Sequence, residues 1–278
     1  MCIAFFTLDH GNYSLIICSN RDEYLDRPTR NARFHSFSTH EADPQSILSG
    51  IDDVGGGTWF GLSRTGKVAL LTNITEPVST FSSSRGSLVS SFLLSKSSKS
   101  LQEEVEELYP RDAKYAGFNL LLLAPTSAAS TELQYDASFV TNAGAGGVIS
   151  PRPLSAIEKS GGGFSNGIDG KGGSEWPKVK HGMQDFRDAL QSLLSDGLTE
   201  AEFTDRLFEL LTWKCPTTVT SRFELRNTVE VAPSPITLEK DGHVTFIERD
   251  IWKEVNGKVE RMPTSSERKV CFKLDSVT

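Results

Sequence analysis

Residues 1–23 read MCIAFFTLDHGNYSLIICSNRDE and contain two apolar runs with a polar turn between them. The runs 2–8 and 13–19 are rich in β-branched and aromatic residues, and the turn-forming residues DHGN separate them. Two such runs around a short turn predict a β-hairpin. Their pairing would bring the polar run NRDE, residues 20–23, back to the end of the hairpin at which Cys2 begins.

The rest of the chain alternates strand-like and helix-like segments. Apolar residues spaced three or four apart predict helices, and short continuous apolar runs predict strands. The further predicted strands lie at 58–63, 67–73, 117–124, 133–135, 139–141, 228–231, 243–249 and 269–274. Helices are predicted from residue 84, from residue 101, and over 176–194 and 199–211, with the glycine-rich segment 160–174 as a loop. This order favours an antiparallel α+β fold over a doubly wound parallel sheet.

Length and composition limit the classes of protein that need to be considered. A length of 278 residues allows one large domain or two small ones. Since no linker divides the sequence, we predict a single domain over residues 1–278. The net charge of −7 argues against non-specific binding to nucleic acid. No apolar run approaches the roughly 20 residues that a membrane-spanning helix needs, so no transmembrane segment is predicted.

The four cysteines are Cys2, Cys18, Cys215 and Cys271, and they form neither a CxxC pair nor a close cluster. A zinc site is therefore not expected, and no metal is assigned. The sequence shows no basic leader or cleavage site before its first strand, so we expect a protein with reduced thiols, either in the cytoplasm or at the cytosol-facing surface of an organelle such as the Golgi or the mitochondrion. Cys18 and Cys271 fall in predicted strands, and we expect both to react slowly.

Cys2 is a candidate nucleophile, because removal of Met1 would place its thiol and a free α-amino group on one residue. An α-amino group has a pKa of about 7.7–8.0 and can act as the base for its own thiol. This N-terminal nucleophile arrangement requires no histidine. Arg21 and Asp22, at the mouth of the second strand, would set orientation and charge there. The alternative is that Cys2 is a small buried residue at the start of a strand.

Several motifs along the chain together resemble one family. They are Met1-Cys2 with its aromatic strand, NRDE at 20–23, RP at 27–28, GGTWFGLSRTGKVALLTN at 56–73, SRG at 84–86, GFNLLL from residue 117, and FSNG and WPK within 164–178. In this order they are similar to the NRDE family, which is also called the transport and Golgi organization protein 2 family. The resemblance covers most of the chain and is weakest after residue 217.

This resemblance implies a fold and a set of site residues. The family is similar to N-terminal nucleophile hydrolases of the choloylglycine hydrolase and penicillin V acylase kind. It therefore implies a four-layer αββα fold with two mostly antiparallel sheets. By position, Cys2 would be the nucleophile and Arg21 and Asp22 would support it, although the hydrolases separate their Arg and Asp. Asn73 would supply a side-chain oxyanion donor, and Asn166 in FSNG would be the second asparagine.

Further residues are candidates to contact a substrate, namely Asn20, Glu23, Trp59 and Arg226. Relatives carry a Gly-Thr-Arg or Gly-Thr-Gln sequence ahead of the next strand, where this chain has SRFELRNTVEVAP from residue 221. Either Arg222 or Arg226 could take the part of that family residue.

Two functions from different classes remain open at this point. The first is a Cys2-dependent hydrolase of amide or thioester bonds in acyl substrates, which requires no cofactor. The second is a non-catalytic binding or trafficking protein for haem or acyl-CoA-type lipids. The resemblance links that second function to Golgi and mitochondrial organisation. In both cases the expected partner is a small molecule, either an acyl ligand or haem carried as cargo.

Overall fold

The computed structural model describes residues 2–23, 26–38, 44–77, 80–126, 132–195, 197–216, 221–229, 232–255, 258–262 and 266–275. The chain divides into two compact units. Unit 1 comprises Met1–Asp26 and Ser155–Phe272, and unit 2 comprises Arg27–Leu154 and Lys273–Thr278. The prediction of a single domain over 1–278 remains a prediction.

Strands and helices alternate in blocks along the chain. The strands are β1 Ile3–His10, β2 Tyr13–Arg21, β3 Thr29–His35, β4 Ile47–Asp52, β5 Phe60–Ser63, β6 Val68–Asn73, β7 Phe118–Pro125, β8 Tyr135–Thr141, β9 Ser150–Pro153, β10 Gly162–Phe164, β11 Ala232–Glu239, β12 His243–Glu248, β13 Trp252–Val255, β14 Lys258–Arg261 and β15 Arg268–Lys273. The helices are α1 Gly86–Leu94, α2 Leu101–Leu108, α3 Ala156–Ser160, α4 Pro177–Ser195 and α5 Glu200–Leu211, with 3₁₀ turns at Gly173–Glu175 and Arg222–Asn227.

Unit 1 contains a sheet with the strand order β10-β1-β2-β11-β12-β15. The predicted hairpin at its centre is confirmed, since β1 and β2 pair antiparallel with Ile3 opposite Asn20. Side chains alternate along a strand, so Ile3 and Phe5 share one face of the sheet. There they belong to the same buried cluster as Phe186 of α4 and Phe203 of α5. This apolar contact holds the two helices to the sheet.

Unit 2 contains a second sheet, in which strands follow the chain in the order β3-β4-β5-β6-β7-β8-β9. Its neighbouring strands all pair antiparallel. The predicted hairpin at 58–73 is confirmed as β5 and β6. The helices α1 and α2 contribute Phe92 and Val105 to a buried cluster with Leu120 and Leu122 of β7.

The prediction that 160–174 is a loop is wrong for part of that segment, because β10 pairs antiparallel with β1 and places Phe164 opposite Ala4. The glycines here permit close packing. A Cβ on Gly162 would lie 2.3 Å from Cζ of Phe6, and one on Gly163 would lie 2.5 Å from Sδ of Met183. Glycine was therefore a signal for a strand under tight packing, as well as for the loop that follows it.

Two other strand predictions need revision. The segments 133–135 and 139–141 are not separate strands, because β8 runs from Tyr135 to Thr141 and pairs with β7 along its whole length. Continuous pairing with the buried strand β7 overrides the weak strand signal of the polar residues between them. The strand predicted at 228–231 falls partly outside the described residues, and the strand there begins at Ala232.

The predicted fold class is confirmed as α+β with two mostly antiparallel sheets, each accompanied by helices. Among the described residues, no helix has both the length and the apolarity needed to cross a membrane.

Candidate active site around Cys2

Cys2 lies immediately before β1 and is partly exposed. The register of the hairpin carries the end of β2 to this position, and the backbone N–H of Asp22 donates to Sγ of Cys2 at 3.5 Å. Arg21, the last residue of β2, is half-buried, as are Asp22 and Glu23 after it. The polar run 20–23 therefore meets Cys2 because two apolar strands pair beside it.

The peptide group that follows Cys2 is bound by side chains. Ser165 Oγ donates to the Cys2 carbonyl oxygen at 2.5 Å, and Lys178 Nζ donates to the same oxygen at 3.4 Å. On the other side, the Ile3 N–H donates to Asn20 Oδ1 at 2.8 Å. Three side chains that are distant in sequence thus hold the main chain next to the thiol.

Asn20 carries a buried donor without a partner. Its side chain is 3% exposed, and among the described residues its Nδ2 has no hydrogen-bond partner. The carboxamide cannot be turned around without loss, because only its oxygen can accept from the Ile3 N–H. A buried unsatisfied donor costs roughly 1–3 kcal/mol, and such groups in native structures call for an explanation. The side chain that bears this energetic cost binds the peptide group next to the candidate nucleophile.

Lys178 is fully buried, with 0% of its surface exposed. Burial lowers the pKa of its amine from 10.5 to about 7, and the Cys2 thiolate acts in the opposite direction. Lys178 reaches the Cys2 carbonyl because α4 packs closely against β1. One turn further along, a Cβ on Gly182 would lie 2.2 Å from Cζ of Phe5. A further turn along, Phe186 stacks on Phe5 with ring centroids 6.0 Å apart.

Ser165 and Asn166 follow β10 directly, so the pairing of β10 with β1 brings them to the start of β1. Both side chains are buried, and Ser165 Oγ also lies 3.3 Å from Asn166 Oδ1. Asn166 is therefore linked to the Cys2 carbonyl through a single hydroxyl group.

The remaining predicted residues are carried by other elements of the chain. Arg226 is half-buried in the 3₁₀ turn Arg222–Asn227 of unit 1, whereas the Arg222 side chain lies outside the described residues. Asn73 ends β6 in unit 2, and Trp59 precedes β5 in the same unit. The site roles of Asn73, Trp59 and Arg226 stay predictions.

Sequence reasoning missed Ser165 and Lys178, although both lie in the quoted motifs FSNG and WPK. One signal could have found Lys178. It stands four residues before Gly182 and eight before Phe186, so it lies on the stripe of α4 that faces the sheet. A charged residue on an apolar stripe is seldom fully buried without a partner.

The other cysteines differ in accessibility. All four lie among the described residues, and none is in a disulfide. Cys18 is buried, and burial raises the pKa of its thiol. Cys271 is exposed, so its place in a strand does not shield it, and the expectation that it reacts slowly loses its basis. Exposure alternates residue by residue along β15, and Cys271 lies on the more exposed side of that strand. Among the described residues, no three His, Cys, Asp or Glu side chains are grouped to hold a metal.

Comparison with known families gives one match over most of the chain. The profile of a family described as "Transport and Golgi organisation 2" matches residues 1–253. The transport and Golgi organization protein 2 homolog of Bos taurus is 37% identical over 130 residues, which are 44% of this chain and 44% of that protein. The Drosophila melanogaster protein of the same name is 29% identical over 201 residues, covering 67% of this chain and 64% of the relative. The matched segments thus span about half to two thirds of these relatives.

Comparison with solved structures shows the fold. An N-acylethanolamine-hydrolyzing acid amidase ortholog from Caenorhabditis elegans superposes with a TM-score of 0.55 at 10% sequence identity. The superposition covers 86% of this chain and 93% of the amidase. At this level of identity the likeness is one of fold alone, and it agrees with the predicted α+β fold of two mostly antiparallel sheets.

Proposed function

The chain belongs to the Transport and Golgi organisation 2 family, and from that premise we propose that it is an acyl hydrolase with Cys2 as its nucleophile. The bond that it cleaves is an amide or thioester, and its ligand is a small acyl molecule. The fold shared with an N-acylethanolamine-hydrolyzing amidase supports an N-acyl amide as the first substrate to test. The names of the relatives support a role connected with Golgi organisation.

The observation that carries the proposal is the way in which Cys2 is held. Its sulfur accepts the Asp22 N–H, and its carbonyl oxygen accepts from Ser165 and Lys178. A backbone N–H that donates to the sulfur fixes the position of the nucleophilic atom. A nucleophile held at both its sulfur and its carbonyl group is already oriented for attack.

The reaction that fits this site uses the α-amino group as the base, once Met1 has been removed. The amine accepts the thiol proton, and the thiolate attacks the carbonyl carbon of the substrate. The bond to the leaving amine or thiol then breaks, the leaving group takes the proton from the α-ammonium, and the acyl group stays on Sγ. Water next gives a proton to the amine and its hydroxide attacks the acyl thioester. The carboxylic acid leaves, and the sulfur recovers a proton from the ammonium.

The proposal gives supporting roles to neighbouring residues of unit 1. Arg21 and Asp22 orient the site electrostatically at the mouth of the hairpin. Asn166 positions the hydroxyl of Ser165, which holds the Cys2 carbonyl. Asn20 and Glu23, on either side of that pair, are proposed to contact the substrate.

The test is mass spectrometry of the protein incubated with an N-acyl amide and, separately, with an acyl-CoA thioester. We expect Met1 to be absent, an acyl group to be mapped to Cys2, and the substrate to be hydrolysed. The Cys2→Ala variant should form no adduct and should not hydrolyse either substrate. The matched control is Cys271→Ala, which removes an exposed thiol outside the site and should behave as the wild type does.

Two results would decide against the proposal. The first is a retained Met1 in the purified protein, and the second is hydrolysis that survives Cys2→Ala. If acyl-CoA or haem instead bound without any adduct, and Cys2→Ala left the Kd unchanged, the non-catalytic binding function would be supported.

A further inference from the structure

We propose that Lys178 is a positioning residue of the Cys2 site, whose buried amine holds the Cys2 main chain and controls the reactivity of its thiol. The inference rests on the proposed role of Cys2 as the nucleophile. It adds an electrostatic task to a side chain that the proposed function uses only to hold the Cys2 carbonyl.

Two side chains donate to the Cys2 carbonyl oxygen. Lys178 Nζ lies 3.4 Å from this oxygen, and Ser165 Oγ lies 2.5 Å from it. The shorter contact already satisfies the carbonyl group, so structure alone does not require a second donor. Burying a lysine for that purpose would be costly, because a charged group loses its hydration in the interior. The amine therefore contributes something that a serine hydroxyl cannot, namely a charge.

Lys178 and Cys2 also influence each other electrostatically. The two influences on the pKa of Lys178 are burial, which lowers it to about 7, and the Cys2 thiolate, which raises it. The coupling is reciprocal, so an ammonium at Lys178 stabilises the thiolate at Cys2. Near neutral pH the amine exchanges its proton, and the charge beside the thiol changes with it.

Other charged groups lie on α4 and on the elements that pack against it. Asp22 lies next to the Cys2 sulfur through its backbone N–H. Glu175, on the 3₁₀ turn before the helix, pairs with Lys180. The 3₁₀ turn Arg222–Asn227 carries two further charged residues, Glu224 and Arg226. Along α5 the charged side chains lie on the more exposed side of the helix, and they are Glu200, Glu202, Asp205, Arg206 and Glu209. On α4 itself, His181 pairs with Asp185. Lys178 is fully buried, whereas Lys180 on the same helix is exposed.

The experiment measures the rate of Cys2 alkylation by iodoacetamide between pH 5 and 10, with peptide mapping to separate Cys2 from the other thiols. The variants are Lys178→Met, Lys178→Gln, Ser165→Ala and Lys180→Met. The glutamine variant keeps a donor near the Cys2 carbonyl but carries no charge. Lys180→Met is the matched control, because it makes the same chemical change on the same helix at an exposed ion pair.

In both Lys178 variants we expect the midpoint of the pH–rate profile to move up and the rate at pH 7 to fall by about twofold, because the thiolate loses a neighbouring amine that is half protonated at this pH. Ser165→Ala should lower the rate at every pH but leave the midpoint in place. Lys180→Met should superpose on the wild type. The glutamine variant keeps the test valid if the methionine variant does not fold.

The inference is overturned if the Lys178 variants give the wild-type profile, or if Ser165→Ala moves the midpoint as far as they do. Its failure can be told apart from a failure of the proposed function, because alkylation needs neither an acyl substrate nor removal of Met1. A shifted profile without any acyl adduct would leave Lys178 its role and remove the hydrolase. An acyl adduct with an unshifted profile would do the reverse.

Discussion

Replacing Lys178 with methionine should stabilise the protein at neutral and acidic pH. Burial moves the pKa of this amine from 10.5 to about 7. Each pKa unit corresponds to about 1.4 kcal/mol, so keeping the buried group at pH 7 costs the folded state about 4 kcal/mol. Methionine has a similar length and no charge to bury. Part of the gain is lost with the hydrogen bond to the Cys2 carbonyl, so we expect a net increase of about 2 to 3 kcal/mol in the free energy of unfolding.

The direction of the pH dependence follows from proton binding. Between pH 7 and about pH 10 the unfolded chain keeps a proton on Lys178 that the folded protein has released, so the stability of the wild type rises with pH. From pH 7 to pH 9 this one group should contribute about 2 kcal/mol of increasing stability. Below pH 7 both states hold the proton, and the cost is at its largest. The advantage of Lys178→Met should therefore be greatest below pH 7 and should shrink as the pH rises towards 10.

The assay is urea unfolding of the wild type, Lys178→Met and Lys180→Met at pH 6, 7, 8 and 9. The control loses only an exposed ion pair, which should change stability by less than about 1 kcal/mol at every pH. The reasoning is refuted if Lys178→Met is less stable than the wild type at pH 6. It is also refuted if the difference between the two proteins does not change between pH 6 and pH 9.

Three further predictions concern the same unit. Asp22→Asn should slow acylation at least severalfold and leave the melting temperature unchanged, whereas the same change at the exposed Asp188 should alter neither quantity. With a thiol-reactive disulfide reagent, Cys271 should react in the native protein, and Cys18 should react only after unfolding, because its thiol is buried. Finally, Gly182→Ala should lower the free energy of unfolding by about 1–3 kcal/mol, measured in urea, because its Cβ would overlap a phenylalanine ring of β1. An unchanged stability would show that α4 can shift away.

The sequence by itself determined those features that depend on neighbouring residues. The hairpin of β1 and β2 and the helices α4 and α5 follow from the spacing of apolar residues over short windows. The family followed from motifs that lie in the same order along most of the chain. Cys2 and the run 20–23 could be placed together because one tight turn separates their strands.

The tertiary structure decided the features that depend on distant residues. Ser165 and Lys178 meet the Cys2 carbonyl across 163 and 176 residues of chain. Their approach depends on β10 pairing with β1 and on α4 packing against Phe5 at Gly182. A glycine-rich sequence predicts a loop when it is read locally. Only the packing shows that Gly162 leaves room for the ring of Phe6 and that Gly163 leaves room for Met183 of α4. The apolar stripe of α4 could point to Lys178, but the lowered pKa of its amine could not be predicted locally, because it is set by burial that the rest of unit 1 provides.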